Sequence, residues 1–224
     1  MKILKFGGSS VGSPERINRV IDIVLNSKQN NQKIAVVFSA FQGVTDELIN
    51  ICNIAAIGDD SYKENLKNLE SKHFEVIKSL VEIIKQSKVL ANTKLMINEL
   101  EDILHGVYLI KELTPKTLAF ILSFGEWLSA YIISECLKQQ CAGVEFLDAR
   151  NVIKTDENFT SANVNYEITY QNIRDYFEKH SSLQVITGFI GSTIKGETTT
   201  LGRGGSDYTA SILGAALKVA EIEI

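Results

Sequence analysis

The chain predicts an α/β fold, a three-layer α/β/α sandwich on a mostly parallel central sheet. Three observations predict it. Short apolar runs at residues 1–6, 34–38, 144–150 and 183–191 alternate with longer segments that carry helical spacing. The strand-like runs are continuous in apolar character, as strands covered on both faces are. The first and last of them run into glycine turns, and in open α/β sheets ligands sit beyond the carboxyl ends of the strands.

The first strand carries Lys5 at its carboxyl end and is followed by Gly7, Gly8, Ser9 and Ser10. Ser13-Pro14-Glu15 then reads as a helix N-cap, an N1 proline and an acid in the first turn. Ile17, Val20, Ile21, Val24 and Leu25 give that helix its apolar face. The second strand, 34–38, ends in Ser39-Ala40, and Gly43-Val44-Thr45-Asp46-Glu47 opens the next helix. Thr45 suits an N-cap, and a cap residue at a cleft can also touch a ligand.

Residues from about 60 to 112 are charged and helical throughout. Leu66, Leu69, Phe74, Val76, Ile77, Leu80, Leu95, Leu100, Ile103 and Leu104 form their apolar stripes. We expect two or three helices here, an insert packed against the sheet. His73 and His105 within it read as structural, since nothing nearby completes a triad. Thr114-Pro115 starts another helix, which carries Glu126 among Phe124, Trp127, Leu128, Tyr131 and Ile132. A carboxylate in such company needs a partner, because burying it unpaired costs several kcal/mol. The partner is either an internal Lys or Arg or the ammonium of an amino-acid ligand.

After the third strand, 144–150, residues 151–163 read as a loop over the cleft mouth and 165–180 as an amphipathic helix. The run 183–191 is a strand ending in glycine, and 192–200 a hairpin around Lys195-Gly196. Gly202-Arg203-Gly204-Gly205-Ser206-Asp207 follows, with Ser206 placed as the N-cap of a small-residue helix. Glycines bare the backbone N–H groups, the arginine grips carboxylate or phosphate, and a helix N-terminus favours an anion. Residues 221–224 begin one more strand. The two glycine loops suggest two walls of one phosphoryl-transfer cleft. The first is neither a Walker loop nor a Rossmann fingerprint.

The 224 residues suffice for one large domain with a substantial core. Twenty-three basic against 27 acidic residues give a net charge of −4. That balance, without a basic block, speaks against nucleic acid as a partner. The apolar runs read as too short for a membrane span, and no signal-peptide pattern opens the chain. Cys52, Cys136 and Cys141 are an odd set without metal-like spacing and read as reduced thiols of a cytoplasmic protein.

Three segments, Lys5-Phe6-Gly7-Gly8-Ser9-Ser10-Val11, Phe124-Gly125-Glu126 and Gly202-Arg203-Gly204-Gly205-Ser206-Asp207, resemble the signatures of the aspartokinases within the amino acid kinase family, in the family's order. The resemblance implies the amino acid kinase fold over residues 1–224. It also implies transfer of a phosphoryl group from ATP to the side-chain carboxylate of L-aspartate, the first step toward lysine, threonine and methionine.

It implies roles as well. Lys5 would meet the transferring phosphoryl group, oriented by Asp207. Lys5, Phe6, Gly7, Gly8, Ser9, Gly204 and Gly205 would hold the ATP phosphates, with Mg²⁺ on the nucleotide. Arg203 would pair with the substrate α-carboxylate and Glu126 with its α-ammonium. Ser39, Thr45 and Ser206 would bound the substrate. Homodimers are usual in the family. The resemblance further implies a catalytic domain cut short before the adenine and ribose contacts, and Leu104-His105-Gly106-Val107 resembles the forms fused to a homoserine dehydrogenase. Kinases acting on glutamate, acetylglutamate, carbamate or UMP are the nearest alternatives, and a binding module without turnover is another.

Overall fold

The computed structural model describes residues 1–29 and 33–224. In chain order the elements are β1 (Lys2–Phe6), α1 (Pro14–Gln29), β2 (Ile34–Phe38), α2 (Val44–Ala56), α3 (Tyr62–Leu80), α4 (Ile83–Ile110), α5 (Pro115–Gln140) and β3 (Val144–Leu147). There follow β4 (Lys154–Thr155), α6 (Tyr166–Lys179), β5 (Leu183–Thr187), β6 (Ile190–Thr193), β7 (Thr198–Thr200), α7 (Gly205–Leu217) and β8 (Glu221–Glu223). The central sheet has five strands in the order β3-β5-β2-β1-β8, each pair parallel.

The layers follow from the period-two alternation of strand side chains. Leu4, Val36, Phe38 and Val185 face the core shared with α1 to α5. Ile3, Ala35, Val37 and Ile186 face the core shared with α6 and α7. Every residue of β2 and β5 is buried, which is why those runs read as continuously apolar. Burying one such large side chain stabilises the fold by about 1.5–3 kcal/mol. Register places the site: Phe6 pairs with Phe38 and Phe38 with Thr187, so the loops after β1, β2 and β5 emerge side by side.

Several expectations change. The insert is two helices, α3 and α4, and they pack on α1, α2 and α5, not on the sheet. Leu95 is 67% exposed, because the buried stripe of α4 runs through Met96, Ile97, Leu100, Leu104 and Val107, and Leu95 lies beside it. The third strand ends at Leu147, since Asp148 turns back to accept from the Arg150 N–H and starts a 3-10 turn. The loop 151–163 contains β4. The run 183–191 is two strands, not one. At Gly188-Phe189 the chain leaves the central sheet for a second sheet ordered β4-β6-β7, and Phe189 takes φ +66° to do so.

Helix α5 is also long and apolar enough to cross a membrane (26 residues, mean hydropathy 1.4), contrary to the reading of the apolar runs as too short. In the fold this face is spent on the sheet and neighbouring helices, with 72% of its most apolar window buried. Cys52 and Cys136 lie in the core, where burial pushes their thiols up to about 12, and Cys141 is partly exposed.

Candidate active site

A cleft of about 690 Å³ opens at the carboxyl ends of β1, β2 and β5. Its first wall is the turn after β1, with Lys5, Gly8 and Ser9. Its second is the turn after β2, from Ser39 to Gly43, with Thr45 in the first turn of α2. Its third is the stretch from Gly202 to Asp207, and Glu126 from α5 completes the lining. Residues far apart in sequence thus share one cavity because three parallel strands end at one level.

Lys5 Nζ lies 2.5 Å from Asp207 Oδ1, so the first and third walls are joined by an ion pair. The lysine side chain is 11% exposed, with its charge at the cleft. Ser39 Oγ donates to Ser206 Oγ at 2.8 Å, tying the second wall to the third. Ser129 Oγ on α5 donates to the Ser39 carbonyl at 2.7 Å and fixes that turn from beneath.

Glu126 is 3% exposed and lines the cleft. Among the described residues its Oε2 has no hydrogen-bond partner and no cation pairs with it. The internal ion pair with Lys or Arg is therefore not what the structure holds. Burial pushes its carboxyl up to about 8, with backbone hydrogen bonding at Ala40 acting in the opposite direction. Arg203 lies exposed on the rim and has no carboxylate partner among the described residues. The cleft therefore holds a buried carboxylate oxygen, Glu126 Oε2, and a guanidinium, neither with a partner among the described residues.

Neither Thr45 nor Ser206 caps its helix. Gly43 caps α2 at φ +82°, and Gly204 caps α7 at φ +73°, neither with a side-chain hydrogen bond. Glycine takes these left-handed conformations without a Cβ penalty. A cap made by backbone alone puts Thr45 and Ser206 one position inside the first helical residue, where the Thr45 hydroxyl is left to the cleft and the Ser206 hydroxyl to Ser39. The first turn of α7 also leaves N–H groups without intrahelical partners, directed at anions.

Phe6 and Gly7 do not line the cleft. Phe6 stacks on Phe38 at 5.7 Å within the core, and Gly7 precedes the 3-10 turn Gly8–Val11. Residues that sequence reasoning missed also line it: Phe41, Gln42, Ile49, Leu122, Phe189 and Thr200. Only Phe189 had a signal, as the residue between Gly188 and Ile190 where a strand had to turn. Thr160 lines it too, from the loop expected over the mouth. His73 and His105 are structural. His73 is buried with Nδ1 2.7 Å from the Leu69 carbonyl, and burial lowers its pKa to about 4. His105 lies 3.4 Å from the Tyr62 hydroxyl.

Residues 1–224 match the amino acid kinase family over their whole length. The chain belongs to the amino acid kinase family. Within it the chain is 33% identical to aspartokinase 1 of Arabidopsis thaliana, covering 99% of the chain and 39% of that protein. It is 31% identical to a bifunctional aspartokinase/homoserine dehydrogenase of Zea mays, covering 98% of the chain and 24% of that protein. Two solved structures of E. coli aspartokinase III superpose on it at 28% identity, over 99% of this chain and 48% of theirs. One, in complex with lysine and aspartate, gives a TM-score of 0.89, and the other, with aspartate and ADP, gives 0.85. The chain thus spans less than half the length of each of these members of the amino acid kinase family.

Proposed function

We propose that this cleft belongs to an aspartate kinase, which transfers the γ-phosphoryl group of ATP to the side-chain carboxylate of L-aspartate and yields ADP and 4-phospho-L-aspartate. The unpartnered, buried Glu126 carboxylate carries the reading. A free amino acid brings an ammonium that pairs with Glu126 and a carboxylate that pairs with Arg203. The relatives named aspartokinase, and the E. coli structures that hold aspartate and ADP, support it.

The nucleophile is a side-chain carboxylate, ionised at neutral pH, so the reaction asks for no general base. The protein supplies position and charge. One carboxylate oxygen of aspartate bonds to the γ-phosphorus as the bond to the β–γ bridging oxygen breaks, and ADP leaves with that electron pair. Lys5 is the cation at the transferring group, held by Asp207. Gly8, Ser9 and Gly204 offer backbone donors to the phosphates, Gly205, whose N–H donates to the Gly202 carbonyl at 3.0 Å, shapes the loop instead, and Ser39, Thr45 and Ser206 bound the substrate side chain. Mg²⁺ would ride on the nucleotide phosphates, where it would offset their charge. A homodimer and a cytoplasmic location complete the proposal.

Calorimetric titration with L-aspartate, L-glutamate and N-acetyl-L-glutamate tests the substrate. We expect binding of L-aspartate alone. Preference for N-acetyl-L-glutamate, which has no ammonium for Glu126, would refute the assignment.

A further inference from the structure

We propose that Lys72, on the helical insert, is a positioning residue that sets the turn after β2 at the amino-acid side of the cleft. This rests on the reading of the cleft as an L-aspartate site. Lys72 Nζ donates to the Gln42 carbonyl at 2.8 Å and lies 2.9 Å from Glu47 Oε1 in the first turn of α2. From the next residue of α3, the His73 ring packs on Phe41 at 5.1 Å between centroids. From the opposite side, Arg16 Nη1 donates to the Ser9 carbonyl at 2.9 Å and approaches Gln42 Oε1 at 3.4 Å. Gln42 is thus held between the insert and the phosphate-side turn, and Ser39 and Thr45 flank it.

The turn needs such support. It leaves the sheet after Phe38 and ends at left-handed Gly43, with no ladder of its own. A bond from an ammonium to a backbone carbonyl is roughly twice as strong as a neutral one. Ser129 and Ser206 hold the Ser39 end of the turn, and without Lys72 the Gln42 end loses its charged tether, so that part of its ordering is taken from affinity. The simpler role for Lys72, a partly exposed ion pair with Glu47, contributes little to stability and would leave ligand binding alone.

The two roles separate in one set of titrations with L-aspartate, each variant also melted. Lys72→Met should weaken binding about five- to tenfold with little change in melting temperature. Lys72→Arg, which keeps a charged donor, should restore affinity to within about twofold. Glu47→Gln should bind as the parent does. If Lys72→Met binds aspartate normally while Glu126→Gln does not, the positioning role is wrong and the cleft assignment stands. Glu47→Gln reproducing the loss would also overturn it, since the ion pair would then be the cause. Normal binding by Glu126→Gln would remove the aspartate reading and this inference with it.

Discussion

A carboxylate buried without a counter-ion either holds a proton or destabilises the fold, and Glu126 holds the proton up to about pH 8. Between the ordinary carboxyl value of 4.5 and about 8, the folded chain keeps a proton that the unfolded chain has lost. Stability from this group is therefore complete below that window and falls as pH rises through it. The substrate ammonium reverses the balance by favouring the charged carboxylate. We predict that aspartate binding at pH 7 releases about one proton, read as a dependence of the binding enthalpy on buffer ionisation enthalpy. Buffer-independent enthalpies would contradict the pairing. Glu126→Gln should flatten the pH dependence of stability and weaken aspartate binding strongly. That Glu126 needs a partner was legible from its apolar neighbours in the sequence. That the partner is not internal was not legible, because it depends on which distant cations the fold brings near.

Two kinds of helix start bear on the site. Thr114 and Asn165 cap α5 and α6 through their side chains, accepting from Thr117 N and Ile168 N, and both starts were readable from residue type. The two starts at the cleft use glycine at positive φ, and the usual capping signal pointed past them to Thr45 and Ser206. Thr114→Ala should cost about 1 kcal/mol of stability in denaturant melts and leave aspartate affinity unchanged. Gly204→Ala acts otherwise. A Cβ there meets nothing within 4 Å, so only the backbone conformation resists it. It should cost about 1–2 kcal/mol and also weaken nucleotide binding, because the first turn of α7 shifts. An alanine variant with unaltered stability and nucleotide affinity would show that the left-handed cap is dispensable.

The order of the central-sheet strands and of the glycine turns was legible along the chain, since buried parallel strands are continuous in apolar character and their ends carry the ligand loops, whereas β4 was hidden in a run read as loop. The sheet order, the division of each strand between two cores, and the departure at Gly188-Phe189 were not, because they rest on pairings between distant segments. The same holds for the reach of Lys72 to Gln42. Ligand binding to the folded state alone should be visible globally. At one hundred times its dissociation constant, L-aspartate adds about 2.7 kcal/mol, or about 5–10 °C in melting temperature for a domain of this size. Glu126→Gln should lose that shift.

The most direct test of the account is to incubate the protein with ATP, Mg²⁺ and L-aspartate and trap the acyl phosphate with hydroxylamine as a hydroxamate. The account predicts a hydroxamate that requires ATP, forms from aspartate and not from glutamate, and disappears in Lys5→Ala. Equal formation by Lys5→Ala or equal use of glutamate would contradict it.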